Sequence, residues 1–484
     1  MSAAVVDPRF APPATFTGEE LVAATRGVHL GGPLDGLWTI CTDSRLIGDG
    51  AVFVALVGEH FDGHRFVASV AAEHRAGALV QADRLTEDAR DAIERAEGPV
   101  VAVEDTLVAL GDLARAHLER HRPEVVGITG SVGKTTTRAM TASILRRIGP
   151  GLESQGNFNN RIGLPLTVLH LRPEHRWAVL EMGMSEPGEI RALADIARPS
   201  VRVITEVAAA HLEFFEGLEQ IADAKGEIFE HASAEDVLIF PADNPLSARF
   251  PKPAHASMVP FSVDPRATTP VRPERVEDRG LRGTSATVRL FDDVVDIEVA
   301  LPGAHQLHNA LAAAAAARAL GADAEQIAEG LRDLEVPGRR MRFEARGALT
   351  VLDDAYNANP ASMAAALRTL ASVEFAARGG RRVAAVGDML ELGATAAELH
   401  GDVGRLAASL GIDFLVGTGP LMAHAVAAAR EVGLPSEHAL DSEAAGAALS
   451  RLLRAGDILL IKGSRGMRME RALESLPNVE FAPE

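Results

Sequence analysis

A stretch of glycines, one lysine and three consecutive threonines at 127–137 has the composition of a loop that binds phosphate. Glycines let backbone amides turn toward an anion, and the helix-like stretch that follows at 138–147 adds the positive end of its dipole. Lys134 would reach the terminal phosphates, and the Thr135 hydroxyl would ligate magnesium. The usual pattern has a glycine where this chain has Ile128. We therefore predict a variant phosphate loop, the alternative being a glycine turn with a surface lysine.

Two side chains that follow apolar runs could belong to a metal site. Glu181 comes directly after the run 177–180, at the strand end where ligands of open α/β sheets collect. His211 follows the run 201–204 after a short loop. Glu181 could also be an ordinary surface acid, and His211 a core histidine. The residues by themselves leave both alternatives open.

Lys225 stands in the middle of an apolar helical stripe formed by positions 218, 221, 222, 228 and 229. A buried ammonium is costly unless it is paired, and burial lowers the pKa of the amine. One interpretation is a lysine whose stem covers the core while its head reaches water. The other is a neutral amine that has been chemically converted. The sequence pattern is compatible with both.

The elements that must position these residues follow from the alternation of apolar runs with helical patterns. Apolar runs occur at 125–128, 177–180, 201–204 and 237–240, and again at 349–352, 382–386, 414–416 and 458–461. This alternation predicts parallel sheets with crossover helices. The proline-rich segment 251–278 is expected to be a connection that leads into a short antiparallel piece around 286–300. The second series lacks a Gly-x-Gly-x-x-Gly fingerprint.

The length of 484 residues, at roughly 150 residues per domain, suggests about three domains. We predict an α/β protein with a small α/β domain at 1–119, a central domain with a mostly parallel sheet at 120–335, and a doubly wound, Rossmann-like domain at 336–484. The Pro-Gly pair at 337 and 338 indicates the second boundary.

Composition excludes several classes of protein. The formal net charge of −19 argues against a nucleic-acid partner, which would need a basic face. A single cysteine rules out an internal disulfide and a CxxC metal site. No signal peptide or membrane-spanning run is found. We expect a cytoplasmic protein without a membrane span, acting as a monomer.

Ordered motifs cover nearly the whole chain. They are DSR at 43–45, FVALVGEHFDGH at 53–64, TGSVGKTT at 129–136, GNFNN at 156–160, IGLP at 162–165, EMG at 181–183, AHLE at 210–213, AKGEI at 224–228, DDAYNANP at 353–360, GDMLELG at 387–393 and KGSR at 462–465. In these motifs the chain resembles the Mur ligases, and among them the MurF type.

The resemblance implies an ATP-dependent amide ligase of peptidoglycan synthesis in the cytoplasm. ATP would phosphorylate the terminal carboxylate of a UDP-N-acetylmuramoyl-tripeptide, and the amine of D-alanyl-D-alanine would attack the acyl phosphate. The products would be UDP-N-acetylmuramoyl-pentapeptide, ADP and phosphate. The first domain would bind the UDP substrate, and the central domain would be the P-loop ATPase. Whether the third tripeptide residue is lysine or diaminopimelate is left open.

The resemblance also implies roles for individual residues. The implied catalytic residues are Lys134, Glu181, His211 and Lys225. Thr135 and Glu181 would hold a first magnesium ion, and Glu181, His211 and a carbamylated Lys225 a second. The implied nucleotide-binding residues are Gly130, Ser131, Gly133, Lys134, Thr135, Thr136, His305, Asn309, Asp354 and an arginine that is either Arg339 or Arg342. The implied substrate-binding residues are Ser44, Arg45, Asn157, Asn159, Asn160, Tyr356, Asn357, Asn359, Lys462 and Arg465. Lys462 and Arg465 could alternatively form a simple basic turn.

The chain departs from the family pattern at three positions, and other members of the family are rival assignments. Gln306, Glu206 and Ser185 stand where the family usually has other polar residues. The tripeptide-forming MurE type should show Asp-Asn-Pro-Arg in the last domain, whereas the Asp-Asn-Pro here lies at 243–245 and is followed by leucine. A folylpolyglutamate synthase should lack the long first domain. A nucleotide-gated binding module without chemistry is disfavoured by the intact set of implied catalytic residues.

Overall fold

Three β-sheets of six, nine and six strands, with helices between the strands, make up the fold. The computed structural model describes residues 14–210, 212–335, 338–373 and 380–476. The chain divides into two compact units. The first unit contains Met1–Gly127, Gly149–Met184 and Glu189–Ser200, and the second contains Ile128–Ile148, Ser185–Gly188 and Val201–Glu484. The α/β class predicted from the alternation of apolar runs is confirmed.

The N-terminal part of the first unit is built on the first six-stranded sheet. Its elements are β1 (Thr15–Phe16), α1 (Gly18–Thr25), β2 (Val28–Gly31), β3 (Trp38–Cys41), β4 (Ala51–Val54), α2 (Val67–Glu73), β5 (Gly77–Val80), α3 (Glu87–Ile93), β6 (Val100–Ala102) and α4 (Thr106–His121). Strands β3, β4, β5 and β6 run parallel, and the edge strands β1 and β2 pair antiparallel. One sheet face packs on α2 and α3 through a core that includes Phe53, Val67, Val80 and Ala89.

The central part of the chain supplies the nine-stranded sheet. Its elements are β7 (Glu124–Thr129), α5 (Lys134–Leu145), β8 (Gly151–Glu153), α6 (Gly163–Val168), β9 (Trp177–Glu181), α7 (Glu189–Ala197), β10 (Val201–Ile204), α8 (Leu218–Gly226), β11 (Val237–Pro241), β12 (Ser257–Phe261), β13 (Val271–Asp278), β14 (Thr284–Leu290), β15 (Asp293–Val299), α9 (His305–Ala319) and α10 (Ala324–Arg332). In the first unit β8 pairs parallel with β9. In the second unit β10 to β13 are parallel, and β13, β14 and β15 form antiparallel pairs.

One expectation about this region is wrong. The segment 251–278 was expected to be a loop-rich connection, but it contains the two strands β12 and β13. Strand β13 carries a register irregularity between Pro273 and Arg275, the kind of position at which a strand tolerates proline, whereas Pro260 of β12 lies in register opposite Phe240. The expected antiparallel piece around 286–300 is present as β14 and β15.

The C-terminal part of the second unit is a doubly wound sheet. Its elements are β16 (Arg342–Arg346), β17 (Leu349–Asp354), α11 (Pro360–Ser372), β18 (Arg382–Gly387), α12 (Ala396–Ser409), β19 (Phe414–Thr418), α13 (Met422–Glu431), β20 (Ser436–Ala439), α14 (Ser442–Leu452), β21 (Ile458–Lys462) and α15 (Glu470–Glu474). The strand order is β16-β17-β21-β18-β19-β20, and all pairs except β16 with β17 are parallel. Separate apolar cores cover the two faces. The Rossmann-like prediction is confirmed.

No helix within the described residues is both long enough and apolar enough to cross a membrane.

Candidate active site

The phosphate loop connects β7 to α5, and α5 begins at Lys134. Gly133 has φ +87° and Gly130 has φ +149°, both in the region that favours glycine. A Cβ at Gly133 would lie 2.3 Å from the side-chain oxygen of Asn309, and one at Gly130 would lie 2.0 Å from the hydroxyl of Thr205. Glycine is therefore required at both positions because neighbouring side chains approach the loop backbone closely.

Two loop carbonyls are held from outside the loop. The Thr205 hydroxyl donates to the carbonyl of Val132 at 2.6 Å, and the side-chain amide of Asn359 donates to the carbonyl of Ser131 at 3.3 Å. Within the described residues, the backbone N–H groups of Val132 and Gly133 donate to no partner. Backbone amides left free in this way form an anion-binding concavity. The loop thus has the backbone geometry that phosphate binding requires.

Lys225 lies on α8 with 2% of its surface exposed. Burial lowers the pKa of its amine well below the ordinary value, and the positive charge of Lys134 lowers it further. Among the described residues, no hydrogen bond or ion pair reaches this amine. Burial thus favours the neutral form of the Lys225 amine, which is the form that chemical conversion would need.

Glu181, the last residue of β9, belongs to the first unit and is 4% exposed. Its backbone N–H donates to the Ser154 hydroxyl at 3.0 Å. Its carboxylate accepts a hydrogen bond of 2.9 Å from the side-chain amide of Asn159, whose own carbonyl accepts from Gly183 at 2.8 Å. The alternative of a surface acid is excluded, because this carboxylate is buried and oriented.

The expected metal ligands are only partly covered by the structure. His211 lies outside the described residues. In the described part of the chain, no cluster of three or more His, Cys, Asp or Glu side chains could hold a metal ion. Lys225 would join such a set only after conversion to a carbamate. The predicted ligands Thr135 and Glu181 carry a hydroxyl and a carboxylate, which are oxygen ligands of the kind that magnesium prefers.

A buried ion pair lies at the ends of β17 and β21. Lys462 donates to the Asp354 carboxylate at 2.6 Å and to the carbonyl of Asn357 at 2.9 Å. Asp354 and Lys462 face each other in the parallel register, and their side chains are 13% and 3% exposed. Lys462 is therefore not part of a simple basic turn. Arg465, in contrast, is exposed and pairs with Glu470 at 2.8 Å.

The arginines after Gly338 have different environments. Arg339 bridges Asp353 at 3.2 Å and Glu474 at 2.8 Å, while Arg342 is exposed at the start of β16. Arg340, which the sequence analysis missed, stacks over the ring of Tyr356 with its guanidinium carbon 3.7 Å from the ring centroid. It makes no hydrogen bond or ion pair with the described residues. No spacing rule separates adjacent arginines, so only the fold could single out Arg340.

Polar side chains connect the start of α9 to α5, the helix that follows the phosphate loop. Gln306 contacts His305 at 3.0 Å and accepts from Asn309 at 3.0 Å, and the Thr137 hydroxyl donates to Asn309 at 3.4 Å. Burial lowers the pKa of His305 to about 4, so its ring is neutral at neutral pH. Gln306, one of the departures from the family pattern, is thus the link between His305 and Asn309.

Several residues expected to bind substrate have structural partners. Arg45 pairs with Asp43 at 2.6 Å in the first unit, next to Ser44. Asn160 accepts from the backbone of Gly163 at 2.8 Å, at the start of α6. Asn157 is exposed in the same loop.

A residue that the sequence analysis did not select also touches the loop. Thr205 follows β10 and reaches the phosphate loop from there. The rule that ligands collect at the carboxyl ends of strands could have found it.

This chain is similar to known proteins along nearly its whole length. Three family models match: the catalytic domain of the Mur ligase family at 39–118, the Mur ligase middle domain at 128–317, and the Mur ligase glutamate ligase domain at 339–465. UDP-N-acetylmuramoyl-tripeptide–D-alanyl-D-alanine ligase of Escherichia coli is 37% identical, over 92% of this chain and 96% of that protein. The Bacillus subtilis protein of the same name is 34% identical, over 90% and 92%.

Solved structures give the same result. MurF from Acinetobacter baumannii superposes with a TM-score of 0.86 at 32% identity, covering 96% of this chain and 99% of that one. MurF ligase from Thermotoga maritima in complex with ADP superposes with a TM-score of 0.76 at 28% identity, covering 90% and 96%. The chain, matched by relatives over nine-tenths of its length, belongs to the Mur ligase family.

Proposed function

We propose that this chain is an ATP-dependent ligase that joins D-alanyl-D-alanine to UDP-N-acetylmuramoyl-tripeptide. The products are UDP-N-acetylmuramoyl-pentapeptide, ADP and phosphate, in peptidoglycan synthesis. The observation that carries the proposal is the phosphate loop at Lys134, in a chain 37% identical along nearly all its length to a ligase of that name. ATP as the phosphoryl donor is further supported by the solved relative that holds ADP.

The chemistry follows from the poor reactivity of a carboxylate. In the first step the tripeptide carboxylate oxygen bonds to the terminal phosphorus of ATP, and the bond from that phosphorus to ADP breaks. The amine of D-alanyl-D-alanine then forms a bond to the acyl carbon, phosphate leaves with the carboxylate oxygen, and the nitrogen loses a proton. The amides of the phosphate loop and Lys134 would hold the phosphates in line and neutralise their charge.

Magnesium fits this arrangement, and two ions are part of the proposal. When bound, the metal neutralises phosphate oxygens. We assign Thr135, Glu181, His211 and carbamylated Lys225 as the ligands. The last assignment is supported by the burial of Lys225, which favours the neutral amine, the form that reacts with carbon dioxide to give a carbamate and release one proton. The resulting anion would exchange an uncompensated buried amine for a metal ligand.

The remaining assignments divide between the nucleotide and the substrates. We place His305, Asn309, Asp354 and the loop residues Gly130, Ser131 and 133–136 with ATP. We add Arg340 because its guanidinium is held over the Tyr356 ring and makes no ion pair with a described residue. Arg339 and Arg342 remain weaker candidates for the same role. Ser44, Arg45, Asn157, Asn159, Asn160, Tyr356, Asn357, Lys462 and Arg465 are placed with the UDP-linked and dipeptide substrates.

We also propose the domain boundaries 1–119, 120–335 and 336–484, a cytoplasmic location and a monomeric enzyme. The boundaries are supported by the ranges 39–118, 128–317 and 339–465 that the three family models match. The cytoplasmic location is supported by the single cysteine and by the nucleotide-linked substrate.

The test is release of phosphate from ATP with each substrate supplied separately and together. We expect release to require both UDP-N-acetylmuramoyl-tripeptide and D-alanyl-D-alanine, with pentapeptide formed in equal amount. Parallel assays with lysine and diaminopimelate tripeptides identify the third residue. Equal turnover without the dipeptide would contradict the ligase assignment, and nucleotide binding without turnover would favour a binding module.

A further inference from the structure

Asn359 takes part in two separate interactions with the two ends of its side-chain amide. Its oxygen accepts from the backbone N–H of Ser362 at 2.9 Å and so caps α11. Its nitrogen donates to the Ser131 carbonyl in the phosphate loop at 3.3 Å. The Ser362 hydroxyl in turn accepts a hydrogen bond of 3.0 Å from the backbone N–H of Asn359, which completes a capping box. The cap therefore does not need the nitrogen that reaches the loop.

The bond to Ser131 fixes the orientation of one peptide plane. In a trans peptide the carbonyl and the following N–H point in opposite directions. Since the Ser131 carbonyl points toward Asn359, the Val132 N–H points away from it. The Val132 carbonyl is held in the same manner by the Thr205 hydroxyl at 2.6 Å, which orients the Gly133 N–H. Two successive N–H groups are thus set for an anion, one by Thr205 and one by Asn359.

We infer that Asn359 is a positioning residue for the phosphate loop, not a residue that contacts the peptide substrate. Its amide orients the Ser131–Val132 peptide toward a bound nucleotide phosphate. In this way Asn359, the N-cap of α11, would contribute to nucleotide affinity through its contact with the loop backbone. The inference rests on the proposed function, because it requires a nucleoside phosphate in the loop.

Substitutions at position 359 can remove the hydrogen bond to Ser131 while keeping the helix cap of α11. Serine caps helices about as well as asparagine, is uncharged, and is too short to donate to Ser131. The variant N359S therefore keeps the helix cap and removes the hydrogen bond to the phosphate loop. N359D also keeps the cap but places a carboxylate oxygen against the Ser131 carbonyl. The matched control is S362A, which weakens the same capping box and leaves the amide of Asn359 in place.

The experiment is calorimetric titration of the full chain with ADP and magnesium, together with thermal unfolding. We expect the dissociation constant for ADP to rise roughly five- to tenfold in N359S, the effect of one lost hydrogen bond. N359D should bind more weakly still. S362A should lower the unfolding temperature and keep wild-type ADP affinity.

Two results would overturn the inference. One is wild-type ADP affinity in both N359S and N359D. The other is an equal loss of affinity in N359S and S362A, which would assign the effect to the helix cap. A wild-type chain that binds ADP but forms no pentapeptide would overturn the proposed function and leave the role of Asn359 intact, so the two failures are distinguishable.

Discussion

The side-chain amide of Asn159 donates to the buried carboxylate of Glu181 at 2.9 Å, and this bond sets the direction in which that carboxylate points. The backbone carbonyl of Asn159 also accepts from Gly183, so both ends of EMG at 181–183 are tied to the same residue. Residues that orient a metal ligand in this way typically change metal affinity tenfold or more when they are removed. Because Glu181 is a proposed magnesium ligand, we expect Asn159 to affect metal binding as well as the proposed substrate contacts.

Replacing Asn159 by alanine should raise the magnesium concentration for half-maximal turnover by about tenfold, because the Glu181 carboxylate loses its oriented donor. The measurement is turnover against magnesium concentration, accompanied by manganese binding followed by electron paramagnetic resonance. Gln155, an exposed residue in the same loop, provides the control variant Gln155→Ala. An unchanged magnesium requirement, with a raised KM for the UDP substrate, would instead place Asn159 in the substrate site.

Lys225→Ala should reduce turnover by several orders of magnitude, since it removes the proposed carbamate ligand. Short carboxylic acids should restore part of the activity by occupying the space of the carbamate. Depleting carbon dioxide from the wild-type protein should slow it reversibly, as measured by phosphate release in degassed buffer. A fully active Lys225→Ala variant would rule out the carbamate.

The stability of Lys225 variants should move in the opposite direction from activity. Lys225→Met replaces a buried, uncompensated amine with an apolar side chain of similar length, so the unfolding temperature without metal and carbon dioxide should not fall. Lys252→Met is the control, because Lys252 is exposed. Strong destabilisation by Lys225→Met alone would show that the amine has a stabilising partner.

His117 gives the first unit a dependence on pH. The residue is 3% exposed, its Nε2 contacts the carbonyl of Leu171 at 3.1 Å, and its ring meets that of His121 edge-on at 4.4 Å. Burial, followed by the charges of His121 and Arg120, lowers its pKa from 6.5 to about 4. The unfolded chain therefore binds more protons between these two pH values, so stability falls as pH decreases from 6.5 to 4.

The expected loss of unfolding free energy from His117 over that range is about 3 kcal/mol. Denaturant unfolding of the first unit at pH 7, 5.5 and 4 measures it. His117→Gln should flatten the profile, because a glutamine amide can donate to Leu171 without titrating, whereas the exposed His29→Gln should not. Parallel profiles for the wild type and His117→Gln would show that other groups cause the acid sensitivity.

Alanine substitutions of the three arginines after Gly338 should have different effects on ATP kinetics and on stability. Arg340→Ala should raise the KM for ATP about tenfold, since its guanidinium is held over the Tyr356 ring and makes no ion pair with a described residue, so that it can meet an anion. Arg342→Ala should change little. Arg339→Ala should mainly lower stability, because the buried Asp353, whose pKa is already raised by burial, would lose its cation. ATP kinetics and thermal unfolding distinguish these outcomes, and a KM effect confined to Arg339→Ala or Arg342→Ala would contradict the assignment to Arg340.

Much of the fold follows from local pattern. The apolar runs at 177–180, 201–204 and 458–461 became buried strands because an apolar run bounded by turns has few other stable conformations. The phosphate loop was recognisable because its glycines, lysine and threonines are contiguous. The strands in 251–278 were not, because a proline-rich segment is typical of a loop, whereas Pro260 and Pro273 lie in strands that are paired with neighbouring strands.

The sequence by itself determined the fold class and the family, because these depend on residue types in order along the chain, and it supplied the candidate side chains for the proposed chemistry. Only the tertiary structure showed that Lys225 is buried, that Glu181 is oriented by Asn159, and that Arg340 stacks over Tyr356. Burial and pairing depend on side chains brought together from distant positions, such as Asn359 and Ser131, 228 residues apart. Spacing along the chain carries no record of those distances.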